Sequence, residues 1–177
     1  MQIKTIKKTI ATKLEDWLST ITDESLRKDV RANVLVSGGS IASLILGEPV
    51  NDYDIYLMDR TVLLRLTEYY VTGIPDVKVW DGKKKEELTK GYETLRNGQK
   101  LEGSHNYYAS SLRNLQENQV KIFLTQGGGG IKVNNAIKNV AENETPKKYQ
   151  VAYLSPNAIS LTDDIQIVIR FHGTPDE

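Results

Sequence analysis

Val34-Leu35-Val36-Ser37-Gly38-Gly39-Ser40, followed by Asp52-Tyr53-Asp54-Ile55, is the stretch on which the reading of this chain turns. Val34–Val36 predicts a short apolar strand. It runs into a glycine turn that can open a helix. Ile41, Leu44 and Ile45 give that helix an apolar face, and Gly47-Glu48-Pro49 ends it. Residues 52–58 then predict a second strand. On it Asp52 and Asp54 stand at i and i+2 and share a face, while Tyr53 and Ile55 point the other way, into a core. Two carboxylates this close repel unless a proton or cation sits between them. A divalent ion with oxygen ligands resolves the repulsion. Gly38 and Gly39 let a ligand approach the backbone with no Cβ in the way. The N–H groups that open the helix suit phosphate, and Ser40 adds a hydroxyl. A short helix joining neighbouring strands puts the turn and the aspartates at one end of a sheet, with room between them for a metal-bound triphosphate.

Working outward, Ile3, Ile6, Ile10, Leu14, Trp17, Leu18 and Ile21 recur at helical steps and predict an N-terminal helix with one apolar stripe. Thr22-Asp23 marks a break and an N-cap for a second helix over 24–32. Another helix is expected over 60–70, stopped by Gly73-Ile74-Pro75. The order helix, strand, glycine turn, helix, strand, helix predicts an α/β (α+β) fold, a mixed sheet with flanking helices. Beyond it, 77–80 predicts a short strand, 83–97 an exposed helix, 106–117 a helix, 120–124 a strand and 134–143 a helix. Two strand-like stretches, 149–154 and 165–171, close the pattern. In the last, Ile165, Ile167, Ile169 and Phe171 alternate with Gln166, Val168 and Arg170. We read residues 1–177 as a single domain with an insertion around 73–148.

Composition narrows the chemistry. The chain has 177 residues, 39% hydrophobic and 26% charged, enough to bury a core without staples. With 23 basic and 23 acidic residues the net charge is zero, which argues against a surface coated in positive charge for nucleic acid but leaves room for a local basic groove. The absence of cysteine excludes disulfides, thiolate catalysis and cysteine-based zinc sites. Only His105 and His172 are present, so a metal must be held mainly by oxygen: magnesium, manganese or calcium. The basic N-terminus lacks the apolar run of a signal peptide, and no run approaches membrane-spanning length. The expected location is the cytoplasm, with no membrane partner.

The paired motif resembles the signature of the polymerase-β-like nucleotidyltransferases: an apolar strand, a Gly-Gly or Gly-Ser turn, a short helix, and an Asp-x-Asp or Asp-x-Glu strand. More narrowly, the chain is similar to nucleotidyltransferase-like proteins of tailed bacteriophages, the similarity extending to 155–161 and 165–173. The resemblance implies a nucleotidyltransferase-like sheet, with Gly38, Gly39 and Ser40 on the nucleotide phosphates and Asp52 and Asp54 on Mg2+ (or Mn2+). It implies a metal-dependent transfer of a nucleoside monophosphate from a nucleoside triphosphate to a hydroxyl, with release of pyrophosphate. The acceptor is left open: a nucleic-acid end, a protein or a small molecule. A third carboxylate is expected on a later strand, just beyond a segment like Arg170-Phe171-His172-Gly173. Asp163 and Asp164 are the nearest candidates in the chain, and Asp164 is taken as the catalytic one. The alternative is a catalytically inactive module of the same fold that binds a nucleotide or a protein partner.

Simpler readings stand beside these. Gly38-Gly39 fits a plain strand-to-helix turn, and Thr162-Asp163-Asp164 a turn into the last strand. Gly127–Gly130 lacks the Gly-Lys-Ser/Thr ending of a phosphate loop and reads as a hairpin or surface loop. The lysines of 83–90 are diluted by glutamates, as on a solvated helix face. Tyr69-Tyr70 and Tyr107-Tyr108 could stack a base, with one member of each pair packed in the core.

Overall fold

The computed structural model describes residues 3–97, 105–125, 127, 129–133 and 147–172. It is a mixed α/β structure. Helices α1 (Ile3–Leu18) and α2 (Glu24–Asn33) precede strand β1 (Val34–Val36), helix α3 (Gly38–Ile45), strand β2 (Tyr53–Leu57) and helix α4 (Arg60–Val71). Strand β3 (Val77–Asp81), helices α5 (Lys85–Asn97) and α6 (His105–Asn114), and strand β4 (Val120–Leu124) follow. Strands β5 (Ile131–Lys132), β6 (Val151–Ser155), β7 (Ala158–Leu161) and β8 (Ile165–His172) complete the described elements. The helix expected over 134–143 lies outside the described residues.

Among the described residues the main sheet has six strands in the order β1-β2-β8-β7-β6-β5, and β3-β4 form a separate two-stranded ribbon. All main-sheet pairs are antiparallel except β2–β8. The strand latest in sequence therefore lies inside the sheet, between β2 and β7. Its alternation explains this: Ile165, Ile167 and Ile169 are fully or almost fully buried, while Gln166 and Val168 are half-buried. The core lies on that isoleucine face, with Ile55, Leu57, Ile159 and Leu161 of the sheet packed against Trp17, Leu18, Leu63 and Leu66 of the helices.

Local capping fixes where the helices begin. Asp23 caps α2 by accepting from the Leu26 N–H, and Asp59 caps α4 by accepting from the Thr61 and Val62 N–H groups. The α3 helix departs from expectation. Leu44 and Ser40 are buried, but Ile41 is 37% exposed and Ile45 54% exposed. Its first turn is drawn in by Ser40 rather than by the full apolar stripe.

A second cluster lies behind the ribbon. Trp80 of β3 and Phe123 of β4 stack at 4.2 Å between ring centroids, and Tyr108 of α6 meets both edge-on. Strand alternation makes β4 the wall between the two cores. Val120, Ile122 and Leu124 face the main core, and Phe123 faces the aromatic one. Arg60 at the start of α4 ties the ribbon down through the Asp81 carboxylate and the backbone oxygens of Asn118 and Gln119. Burial pushes the Asp81 carboxyl up, but the hydrogen bonds from Arg60 and from the Lys83 N–H outweigh it and hold it below the usual range. The glycine run 127–130 connects this ribbon to β5 of the main sheet rather than closing a hairpin, since β4 pairs with β3 and β5 with β6.

Candidate functional site

Strand β1, the α3 N-terminus and strand β2 build the site together. The Ser37 N–H donates to the Asp54 carbonyl at 2.9 Å, continuing the β1–β2 register by one residue. Ser40, 2% exposed, has its hydroxyl 3.5 Å from the Asp52 carbonyl. The turn is thus bonded to the backbone of both aspartates. Ser37 is the N-cap of α3, yet its side chain makes no capping hydrogen bond. The first-turn N–H groups of α3 are left without that internal partner, and their partial positive charge suits an anion.

Gly38 and Gly39 are informative for what the fold does not ask of them. Neither has a positive φ. A Cβ at Gly38 would meet nothing within 4 Å, and at Gly39 only the Ser37 Oγ at 3.6 Å, an ordinary contact. Glycine costs a helix roughly 0.5–1 kcal/mol relative to alanine. Gly38 and Gly39 open α3 rather than lie in its middle, so the cost is smaller there, but the chain's own packing would accept a side chain at both. Gly39→Ala is therefore expected to leave the melting temperature unchanged or raise it, while weakening any ligand seated on the turn. Calorimetry of the variant with and without ligand separates the two effects. A lower melting temperature without ligand would show that the turn itself needs glycine.

Asp52 is exposed and Asp54 half-buried. Burial, then the Asp52 charge, pushes the Asp54 carboxyl above its ordinary value. Such a pair favours a hard cation. Among the described residues, no group of three His, Cys, Asp or Glu side chains gathers to hold a metal. Two carboxylates alone fit magnesium or manganese, which commonly take one or two protein carboxylates and complete their shell with water and phosphate oxygens.

The structure places Asp164 differently. Asp163 and Asp164 both have positive φ, 63° and 67°, and make the β7–β8 turn. The Asp164 carbonyl accepts from the Tyr53 N–H at 2.8 Å. Its side chain lines a cavity of about 440 Å3 that includes Lys13, Asp16, Tyr53 and Tyr149. There its charge acts after burial in raising the Tyr53 hydroxyl, while the Tyr149 hydroxyl is raised by burial first and then by its hydrogen bond to Asp16 and the Asp16 charge. Lys13 lies over the Tyr53 and Tyr149 rings and donates to the Asp163 carbonyl, and the Tyr149 hydroxyl donates to Asp16 at 2.6 Å. This network ties α1 to the β7–β8 turn. The position in register with Asp54 on β8 is Gln166, not a carboxylate.

The register shows something that sequence reasoning missed. Ser37, Asp54, Gln166, Ser160, Tyr153 and Lys132 are successive partners across β1, β2, β8, β7, β6 and β5. Directly opposed residues share a face. All six are polar, on the face away from the core. By contrast, the tyrosine pairs picked out in the sequence serve packing. Tyr108 is buried in the aromatic cluster, Tyr70 accepts from the Trp17 indole at 2.8 Å, and Tyr69 bonds to Thr22. Tyr153, unremarked in sequence, is the tyrosine that stands 39% exposed on the row.

The sequence model of a family described as Gad2, Gabija anti-defense 2 family protein, matches residues 8–177. The match spans nearly the whole chain, and the chain belongs to that family. This replaces the assignment to the polymerase-β-like nucleotidyltransferases and the tailed-phage proteins, which the match does not bear out. That assignment rested on a strand-turn-strand motif covering about a sixth of the chain, a short pattern open to false positives, and on a looser similarity over 155–161 and 165–173. No curated protein and no solved structure matches.

Proposed function

We propose that this member of the Gabija anti-defense 2 family is a phage-encoded protein that works in the host cytoplasm against Gabija defense, by metal-dependent nucleotidyl transfer. The single observation that carries the reading is the pair of glycines the fold does not require, bonded through Ser37 and Ser40 to the backbone of a repelling carboxylate pair. A phosphate chain on the α3 turn and a cation between Asp52 and Asp54 satisfy both features at once. In this reading Gly38 and Gly39 admit the phosphates to the backbone N–H groups, and Ser40 holds the turn against β2. Asp52 and Asp54 would hold a magnesium or manganese ion, which would supply charge neutralisation at the phosphates. An acceptor hydroxyl oxygen bonds to the α-phosphorus of a nucleoside triphosphate. The bond from that phosphorus to its bridging oxygen breaks, pyrophosphate leaves, and the hydroxyl proton passes to water.

One observation favours a second reading, a non-catalytic module that binds a nucleotide or a protein partner. The described residues supply two carboxylates, and Gln166 stands where a third would complete the row. The test is thermal unfolding with magnesium or manganese and each of the four ribonucleoside triphosphates, followed by an assay for pyrophosphate. A ligand that binds only the folded state raises its stability, by about 2.7 kcal/mol at a hundredfold excess over Kd. A metal-dependent upshift with pyrophosphate release is the expected result. An upshift without turnover favours the binding module, and no upshift with any triphosphate overturns both nucleotide readings.

A further inference from the structure

We infer that the polar row on the sheet face turned away from the core is the acceptor site, and that its occupant is the end of a single-stranded nucleic acid. The inference rests on the nucleotidyl-transfer reading for its chemistry and adds the class of acceptor. The triphosphate cradle lies on the β1 side of Asp54, and the row runs from Asp54 in the opposite direction through β8, β7, β6 and β5. An α-phosphorus held at the aspartates is therefore flanked by the α3 turn on one side and the row on the other. In-line displacement needs this arrangement, with the attacking and leaving oxygens on opposite sides.

The order of chemistry along the row selects the occupant. Gln166 and Ser160, next to Asp54, are neutral hydrogen-bonding groups suited to sugar hydroxyls and base edges. At the strand spacing of about 4.8 Å, Tyr153 follows roughly 14 Å from Asp54 and Lys132 roughly 19 Å. An exposed aromatic ring followed by a lysine is a stacking platform with a phosphate contact. The Tyr153 ring also has a backbone neighbour that its position depends on. A Cβ at Gly130 would collide with the Tyr153 hydroxyl and ring, so the ring lies directly against the Gly130 backbone and would have to shift to admit a side chain there. The last residue of the glycine run thus seats Tyr153. The chain's zero net charge suits a short strand held by a few local contacts rather than a duplex held by its phosphates.

Fluorescence anisotropy of a short labelled single-stranded oligonucleotide, in RNA and DNA forms, tests this without metal or triphosphate. Tyr153→Ala is expected to weaken binding about tenfold, within the range for losing one stacked base. Lys132→Glu is expected to weaken it and to reduce the salt dependence. Lys28→Glu, an identical charge change on exposed α2, is expected to leave affinity unaltered. Gly130→Ala keeps the aromatic ring but displaces it, and should match Tyr153→Ala. Wild-type affinity in Tyr153→Ala, an equal loss in Lys28→Glu, or no oligonucleotide binding by the wild type would each overturn the inference. So would binding of a hydroxyl-bearing peptide on these same residues, which would make the acceptor a protein. Because metal and triphosphate are left out, a failure here is distinct from a failure of the nucleotide cradle, which the unfolding assay reads separately.

Discussion

Asp54→Asn is expected to raise the melting temperature of the metal-free protein at neutral pH and to abolish its metal-dependent response to nucleotide. Both effects follow from one carboxylate. Burial and the neighbouring Asp52 disfavour the ionised form of Asp54 in the folded state and raise its pKa there. A carboxyl raised on folding stabilises the fold fully only below its ordinary value, near about 3.9 in unfolded chains. That contribution is lost as pH rises through the higher folded value, so at neutral pH the repulsion is fully expressed. Asparagine keeps the shape and removes the charge. The variant should therefore be the more stable protein at neutral pH, with the difference shrinking on acidification. A divalent cation reverses the preference, because it needs the ionised pair. Metal affinity of the wild type should accordingly climb through the same pH window, and the variant should lose the affinity together with the nucleotide upshift. Unfolding scans of both proteins across pH, with and without magnesium, read all of this. A metal-free variant less stable than the wild type would mean that the carboxylate makes a structural contact. A retained upshift would remove Asp54 from the site.

The largest loss of stability is expected from Trp80→Ala. Trp80 is 2% exposed, stacked on Phe123 and edge-on to Tyr108. Truncating a buried tryptophan costs about 3–5 kcal/mol, because the aromatic neighbours cannot collapse into the space. The ribbon has two working faces, so the damage should not stay local. β4 gives Phe123 to the aromatic cluster and Val120, Ile122 and Leu124 to the main core. Loosening one face loosens the strand that forms the other. Chemical denaturation followed by Trp17 fluorescence should therefore show one transition, shifted to lower denaturant, rather than an early loss of the ribbon and a later loss of the sheet. Trp17 reports on the main core, where its indole donates to Tyr70. An unshifted Trp17 transition would make the aromatic cluster an independent unit, and would free the Gly38–Asp54 region from any dependence on it.

Local rules made much of the fold legible. The 3.6-residue stripe of α1, the Asp23 cap, the apolar run of β1 and the alternation of β8 each depend on near neighbours, and each lies where the sequence places it, except that Ile3 at the start of the stripe is exposed and Ile21 falls beyond the end of the helix. The pairing of Asp52 and Asp54 on one face was equally local, since i and i+2 on a strand share a side. Strand β7 and the two-residue β5 escaped notice because each is short and their signals merge with the flanking turns. Which strands lie side by side is not written in any local window. The insertion of β8 between β2 and β7 brings Gln166 into register with Asp54, and the β6 and β5 pairings add Tyr153 and Lys132. Those residues lie far from Asp54 along the chain, and only long-range hydrogen bonding aligns them. The same holds for Asp164, whose left-handed turn carries its carboxylate toward Lys13 and Tyr149. The carboxylate pair and the glycine turn could be read from the chain alone, because their geometry is set by adjacent residues. What stands beside them came from the folded sheet, because strand order is chosen by burial of the whole isoleucine face at once.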